Sequence, residues 1–599
     1  MVREQWARNS EFLLSCVGFA VGLGNIWRFP YLCYRNGGGA FLVPYLLFLV
    51  FGAAPVLILE IGLGQFMSES GTGAWNICPL FQGIGVANLV MMVLVNIYYI
   101  VVLAWGCYYF VMSFQPVLPW SHCDNPWNTP RCSLTKQMPC MVSNGTFNGT
   151  LNMSVVACVK DNTTSTVDPS VEFWERKVLQ MSSGIEESGG VIWDMALCLL
   201  FVWIFVYFCV WKGIKWTGKV VYFTATFPYV VLITLLIRGL TLDGALYGIK
   251  YFLIPDFNKL AEAQVWVDGG TQIFFSLAIA LGAMITLGSY KKFDNNFYRD
   301  CFIIMCINSG TSLLGGFAVF SILGFMATEQ GVDISEVVSS GAGLAFITYP
   351  KAVLSMPLSH LWSAVFFFML FLVGIDSQFV HVEAVITPIV DMFPKYINKP
   401  WHRMAITAVY CACAFLIGLS MTTRGGIYIF TLFDYYSASG MVMLWVCFWE
   451  CIAIGWIFGA KRFYDVIEHM LGYRISPFLW ICLKFITPAV TVGIFFFQVV
   501  TFKSATVGDS YEYPPLGEAF GLLLAMASMI CIPITMIVKL RKIPGTLLER
   551  LRRSVTPVLK KKQIPKKWIS QGMCQTVTVI EDEDEAEERF SLEKSSAMI

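Results

Sequence analysis

Side chains that could bind a cation occur inside the long apolar runs of this 599-residue sequence. Asn25 and Ser276 offer neutral oxygens, and Asp376-Ser377 places a carboxylate beside a hydroxyl. A carboxylate deep in an apolar run is costly unless it is paired or bound to a cation. We therefore expect Asp376 to coordinate a cation, and a plain hydrogen bond between helices is the alternative.

The apolar run that contains Asn25 is interrupted by residues that break helices. Gly22, Gly24 and Pro30 fall within it, and a glycine costs a helix about 1 kcal/mol and a proline about 3 kcal/mol. This pattern predicts two half-helices joined by unwound backbone, with a kinked helix that binds nothing as the alternative. Unwound backbone at membrane depth is tolerated where it is buried or lines a cavity, and its carbonyls suit a hard cation. Small residues at 276–283 predict a second break of the same kind.

Membrane-spanning helices are the elements that must position these residues. The chain is 56% hydrophobic and 14% charged, whereas soluble proteins are about a quarter charged. Apolar runs of about 20 residues are candidate spans. They cover residues 11–34, 39–65, 84–114, 191–211, 218–238, 266–288, 300–326, 359–388, 404–421, 427–458, 477–501 and 516–540. The sequence thus predicts an all-α membrane protein of twelve helices, and broken helices five spans apart suggest two five-helix repeats of opposite orientation.

The positive charges of the short loops indicate the orientation of the chain. Nearly all of them fall on one side of a twelve-span protein, which predicts cytosolic termini. We expect a cytosolic N-terminus at 1–10, a twelve-helix domain at 11–541, and a largely disordered cytosolic tail at 542–599, basic and then acidic. The basic part, 539–567, could contact anionic membrane lipid, and a solvated topology anchor is the alternative.

The large loop at 115–190 is predicted to be extracellular. It contains four Asn-X-Ser/Thr sequons, which predict glycosylation. The acceptor residues are Asn144, Asn148, Asn152 and Asn162. Outside the cell, disulfides are the natural interpretation of the four cysteines in this loop. We expect Cys123 to pair with Cys132, and Cys140 with Cys158 is a second candidate pair.

Charged residues near the ends of the spans are candidate gates. Arg28 and Asp434 could close the outside of a site, and Arg3 and Asp391 could close the inside. Independent snorkelling towards the interface is the alternative for each. The sequence has no P-loop, zinc-protease motif or nucleophile elbow, so we expect no enzyme activity and an ion gradient as the energy source. A net charge of +1 suggests no nucleic-acid partner.

Five motifs together point to a known family. They are Gly22-Leu-Gly-Asn-Ile-Trp-Arg-Phe-Pro-Tyr31, Asn36-Gly-Gly-Gly-Ala-Phe41, Gln272-Ile-Phe-Phe-Ser276, Asp376-Ser-Gln-Phe379 and Leu432-Phe-Asp-Tyr-Tyr-Ser-Ala-Ser-Gly440. From about residue 3 to 545 the chain resembles the sodium- and chloride-dependent neurotransmitter transporter family (solute carrier 6). It looks most like the GABA, taurine, betaine and creatine transporter subgroup, creatine and taurine transporters above all. The resemblance implies a leucine-transporter-like fold in the plasma membrane, with a 5+5 inverted repeat, broken helices 1 and 6, and alternating access.

The resemblance also implies ion sites, residue by residue. A first sodium ion would be bound by Ala20, Asn25, Ser276 and Asn308. A second would be bound by Gly18, Val21, Val373, Asp376 and Ser377. Chloride would lie among Tyr45, Gln272, Ser276, Asn308 and Ser312. Chloride-independent bacterial relatives carry a glutamate where Ser312 stands, so a neutral residue here leaves room for a bound anion.

The substrate implied by the resemblance is a small zwitterion: creatine, taurine, GABA or betaine. Gly22 replaces the aspartate of monoamine transporters, which leaves space for an acid group. The pocket would be formed by Phe19, Gly22, Leu23, Gly24, Val95, Tyr99, Phe275, Leu277, Leu281, Val380 and His381. Leu277, Ala280 and His381 depart from the subgroup's pattern and leave the substrate open. The alternatives are a different amino-acid substrate, a transport-dead sensor or an ion channel, and a homo-oligomer is left open.

Overall fold

The computed structural model describes most of the chain. It covers residues 4–133, 140–142, 156–158, 167–331, 334, 344–354, 356–397, 399–438, 440–507, 511–570 and 577–580, of which 27, 140–142, 156–158, 330 and 344 are described by backbone alone. The four sequon asparagines, the acidic run 581–588 and Arg3, the predicted partner of Asp391, lie outside the described residues.

Helices form the body of the molecule. The longer ones are α1 (Asn9–Ala20), α2 (Phe29–Arg35), α3 (Leu42–Phe48), α4 (Ala54–Met67), α5 (Gln82–Met112), α6 (Trp193–Val210), α7 (Ile214–Thr224), α8 (Phe227–Leu240), α9 (Ala245–Leu253), α10 (Ala263–Ser276), α11 (Ala283–Ser289), α12 (Phe297–Gln330), α13 (Ser359–Met392), α14 (Pro400–Gly418), α15 (Gly426–Tyr436), α16 (Gly440–Cys451), α17 (Ala460–Leu471), α18 (Thr487–Val500), α19 (Pro515–Met529), α20 (Cys531–Lys542) and α21 (Leu547–Ser554).

Short strands pair in three places. The antiparallel pairs are β1 (Cys140–Val142) with β2 (Val156–Cys158) and β3 (Thr506–Val507) with β4 (Tyr511–Glu512), and the parallel pair is β5 (Val558–Lys560) with β6 (Thr578–Ile580). The register of the first pair sets Cys140 opposite Cys158. The predicted disulfide between Cys123 and Cys132 is present.

Nine helices within the described residues are long and apolar enough to cross a membrane, or up to eleven if each of two bent pairs is one span. The single spans are Gly39–Met67, Pro79–Met112, Trp193–Val210, Ile214–Leu240, Phe297–Glu329, Ser359–Met392, Pro400–Thr422, Gly426–Leu471 and Phe478–Val500. The bent pairs are Asn9–Ala20 with Gly24–Arg35 and Pro515–Met529 with Cys531–Lys542. These eleven match eleven of the twelve predicted runs. The remaining run, 266–288, consists of two shorter helices, α10 and α11.

Both predicted helix breaks are present. In the first span, α1 ends at Ala20 and the chain resumes in a π-helical turn, Gly24–Arg28, at an angle of 59°. In the run of α10 and α11, Ala278 and Ala280 adopt left-handed backbone with φ of 50° and 60°. A left-handed conformation costs a residue other than glycine roughly 1–2 kcal/mol. The unwound segment is held from the side, because Ala280 N donates to Glu60 Oε1 at 2.5 Å.

The described part of the C-terminal tail, residues 543–570 and 577–580, includes side chains that contact the helical body. Trp568 is buried, and its Nε1 donates to Asp465 Oδ2 at 3.1 Å. Gln563 Nε2 donates to the carbonyl of Phe66, the penultimate residue of α4, at 2.8 Å. These partners lie about a hundred residues or more away in the chain, where local composition gives no sign of them.

Candidate ion and substrate site

The two helix breaks and α12 meet at the side-chain amide of Asn25. Its Nδ2 lies 3.1 Å from Ser276 Oγ, 2.8 Å from Asn308 Oδ1 and 2.9 Å from Ser312 Oγ. Two hydrogens cannot serve three acceptors, and Asn25 Oδ1 has no partner among the described residues. A buried centre so rich in oxygen suits a hard cation. Ala20, also predicted to bind the first sodium, is the last residue of α1.

The carboxylate of Asp376 forms a second oxygen site, beside the end of α1. A Cβ on Gly18 would stand 2.9 Å from Asp376 Oδ2, so glycine allows the backbone to approach the acid. Ser377 Oγ donates to the Gly18 carbonyl at 3.2 Å, and Val21 and Val373 line the cavity that Gly18 and Asp376 share. In the described part of the chain nothing donates to Oδ2. The five predicted residues thus lie together around an acid oxygen that a cation would satisfy.

Thr224 is a partner of Asp376 that sequence reasoning missed. It is the last residue of α7 and is buried, and its hydroxyl donates to Asp376 Oδ1. Its Oγ1 also lies 3.2 Å from the Val220 carbonyl. A threonine in an apolar helix commonly bonds to the carbonyl four residues earlier, so residue type gave no signal of the longer-range contact.

Groups that could hold an anion adjoin the Asn25 centre. Tyr45 OH lies 3.3 Å from Ser309 Oγ, and Gln272 Nε2 lies 3.3 Å from the Gly24 carbonyl oxygen. Hydroxyl and amide hydrogens without a carboxylate are donors of the kind an anion needs. The predicted chloride residues are therefore grouped around α3, α10 and α12, and Ser309 is one neighbour that the sequence did not reveal.

The predicted substrate residues face one another across the first helix break. A Cβ on Gly22 would stand 3.2 Å from Ser377 Oγ and 3.5 Å from Tyr99 OH. A Cβ on Gly24 would stand 3.3 Å from the ring of Phe275. The unwound segment therefore passes between α5 and α13 on one side and the end of α10 on the other.

A histidine occupies the wall of this pocket on α13. The His381 ring meets Phe19 edge to face, with centroids 5.3 Å apart, and Tyr99 likewise at 5.0 Å. His381 is only 5% exposed, and its Nδ1 has no hydrogen-bond partner among the residues described. The other predicted wall residues are buried and apolar: Leu23, Val95, Leu277, Leu281 and Val380.

The outer side of the pocket lacks the predicted ion pair. The guanidinium carbon of Arg28 lies 4.8 Å from the ring centroid of Phe275, and Asp434 on α15 is exposed. Among the described residues, Arg28 and Asp434 form no direct salt bridge. Arg28 instead covers Phe275, an aromatic residue of the predicted pocket.

The other end of α13 is closed by a dense polar network. Asp391 accepts hydrogen bonds from Ser70 N at 3.1 Å and from Ser70 Oγ at 2.6 Å. Two turns earlier, Glu383 Oε1 accepts from Arg403 Nη2 at 2.6 Å and from Tyr290 OH at 2.8 Å. The sequence did not reveal the contact between Glu383 and Arg403, because their meeting depends on how α13 and α14 pack.

The chain is similar to known transporters over nearly its whole length. Residues 3–543 match the family described as "Sodium:neurotransmitter symporter family". The chain is 52% identical over 570 residues to the sodium- and chloride-dependent taurine transporter of Bos taurus, covering 94% of this chain and 88% of the relative. It is 53% identical over 557 residues to the sodium- and chloride-dependent creatine transporter 1 of Mus musculus, covering 93% and 86%. The family and these relatives are transporters, and the chain is not an enzyme.

Proposed function

Because the chain belongs to the sodium:neurotransmitter symporter family, we propose that it is a plasma-membrane symporter that imports a small zwitterion together with sodium and chloride. The sodium and chloride dependence named for the taurine and creatine transporters supports this coupling. Creatine, taurine, GABA and betaine are the candidate substrates. Both termini would be cytosolic, and the loop between α5 and α6 would be extracellular and glycosylated.

One observation carries the proposal: two oxygens at opposite ends of the same helix break lack partners within the described residues. These are Asn25 Oδ1 and Asp376 Oδ2. A buried polar atom without a partner costs about 1–3 kcal/mol, and more for a charged group. Sodium ions at the two sites would satisfy both atoms, and Asp376 would supply the charge for the second ion.

Chloride would balance the charge of the first sodium. The set around Asn25, Asn308 and Ser312 contains oxygens and donors but no carboxylate. A cation held by neutral groups alone in a low-dielectric interior is costly without a nearby anion. Tyr45 and Gln272 would hold that anion close to the cation.

Transport would proceed by alternating access. The inner network of Glu383 and Arg403 is formed, whereas Asp434 on the outer side is exposed. This arrangement is what an inner-closed, outer-open state requires. Binding of substrate and ions would draw Arg28 towards Asp434 and Phe275 over the pocket, after which the inner network would open. Ligands shift such an equilibrium only through their different affinities for the two states.

The substrate would bind with its acid group at Gly22. The hydroxyl of Tyr99 lies near the Leu23 amide and Ser377 without a well-formed hydrogen bond to any described residue. It is thus free to donate to an acid oxygen, and the first sodium would stand beside the same group. The substrate itself would complete the first ion site, which accounts physically for coupled binding.

The test is radiolabelled uptake of taurine, creatine, GABA, betaine, β-alanine and glycine into cells that express the full chain. Sodium and chloride are each replaced in turn. We expect saturable uptake of at least one zwitterion that requires both ions. Binding of a zwitterion without uptake would identify a sensor, ion flux without saturation would identify a channel, and either result would overturn the symporter proposal.

A further inference from the structure

The buried Nδ1 of His381 is a polar atom that the ion sites do not use. His381 is on α13, four residues beyond Ser377, and its ring is fixed by edge-to-face packing against Phe19 and Tyr99. Among the residues the structure describes, none forms a hydrogen bond with Nδ1. An atom buried in this way needs a partner, and the described residues do not supply one.

The two ends of a zwitterion make different demands on the pocket. Its acid end would have Tyr99 OH as a hydrogen-bond donor and the first sodium as a cationic partner. Its nitrogen end needs a hydrogen-bond acceptor. The predicted wall offers apolar side chains and aromatic rings, and Asp376 is engaged in the second ion site. A neutral imidazole with its hydrogen on Nε2 presents Nδ1 as an acceptor.

We propose that His381 Nδ1 accepts a hydrogen bond from an N–H group of the substrate, which restricts the substrate to zwitterions whose nitrogen end carries a hydrogen. This inference rests on the proposed function, since it concerns the pocket of that transporter. A quaternary trimethylammonium end has no N–H, so its binding would leave Nδ1 unpaired and bury three methyl groups against it. Betaine is thereby excluded as a good substrate, and taurine, GABA, β-alanine and creatine remain.

The experiment compares amines with their N-trimethyl counterparts. Competition against the radiolabelled substrate gives an affinity ratio for taurine, GABA and β-alanine, each against the same molecule trimethylated on nitrogen. We expect native protein to prefer the amine by at least about tenfold, because an unpaired buried acceptor is costly.

Three variants separate acceptor geometry from packing. Asparagine places its Oδ1 close to the position of histidine Nδ1, whereas glutamine places its oxygen nearer that of Nε2. We therefore expect His381→Asn to keep the amine preference, and His381→Gln and His381→Leu to reduce the ratio to near one. His360→Leu is the matched control, because His360 is exposed near the start of the same helix.

Surface biotinylation corrects each variant for expression. Should His381→Leu not fold, the comparison of the affinity ratios of His381→Asn and His381→Gln tests the inference without it. Equal affinity of native protein for amine and trimethyl compounds, or an amine preference that survives in His381→Gln, would overturn the inference while leaving ion-coupled uptake intact. If no zwitterion is taken up, the proposed function fails. The affinity ratio can then still be measured by scintillation proximity binding to the purified full chain in sodium chloride, and it decides the inference by itself.

Discussion

The hydroxyl of Thr224 donates to Oδ1 of Asp376 and leaves Oδ2 turned towards Gly18. Thr224 ends α7, so the acid is held by a residue that lies directly before the junction with α8. The hydrogen bond fixes the rotation of the carboxylate and thereby decides which oxygen faces the proposed second sodium site. Thr224 would therefore be a positioning residue for that site.

Removing this hydroxyl should weaken sodium binding. We expect Thr224→Val to raise the sodium concentration for half-maximal uptake by roughly fivefold or more, with kcat little changed, because a lost hydrogen bond to a charged group costs about 1.5–3 kcal/mol. Thr224→Ser should restore the native value. Thr234→Val serves as the control, since Thr234 is exposed and its hydroxyl bonds within α8. An unchanged sodium dependence in Thr224→Val would show that the contact does not position the acid.

A fixed negative charge should replace chloride. Ser312 Oγ lies 2.9 Å from Asn25 Nδ2, beside the proposed first sodium site. We expect Ser312→Glu to support uptake in chloride-free gluconate medium, because the carboxylate then balances the sodium charge. Ser312→Ala is the matched variant and should keep the chloride requirement. Uptake by Ser312→Glu that still needed chloride would place the anion elsewhere.

Loss of the Glu60 carboxylate should disable the second helix break. Glu60 is fully buried and accepts from the backbone of Ala280, which has left-handed geometry. We expect Glu60→Ala to lower uptake strongly at equal surface expression, because a buried N–H without a partner costs about 1–3 kcal/mol. Glu60→Gln keeps an acceptor oxygen and should retain part of the activity. Equal uptake by the alanine and glutamine variants would argue against this role of the side chain.

The loop between α5 and α6 should lose stability in acid. Burial raises the pKa of Glu172, but hydrogen bonds from Thr129 and Asn128 outweigh it and hold the pKa of this carboxyl below its ordinary value. A lowered pKa in the folded state means that the stabilisation is present above the unfolded pKa, about 4.3, and is lost as the pH falls through the folded pKa. Native protein should therefore have a higher Tm than Glu172→Gln at pH 7, and the difference should shrink below about pH 4. A difference that does not change with pH would exclude the ionised carboxylate as its source.

The sequence was most informative where burial and residue type conflict. Asp376 in an apolar run and Gly22 beside Asn25 could be identified because each violates the local pattern of a membrane helix. Thr224 and Ser309 could not, since hydroxyls are ordinary in such helices and their contacts depend on how α7, α8 and α12 pack. The contacts of Trp568 could not be predicted for the same reason, because the site that buries it is built from distant segments.

The absent outer ion pair has a different cause. Arg28 and Asp434 could be matched from their types and positions, but residue type does not show whether two side chains meet. Under the proposed alternating access, the pair would form in one state and be absent in another.

The left-handed alanines at 278 and 280 reverse a familiar rule of protein engineering. Exchanging glycine for alanine usually stiffens a helix and raises its melting temperature. In this segment the native residues already are alanines, and their backbone geometry is one that glycine adopts without penalty. At these two positions, a screen for higher melting temperature would therefore select substitutions of alanine by glycine.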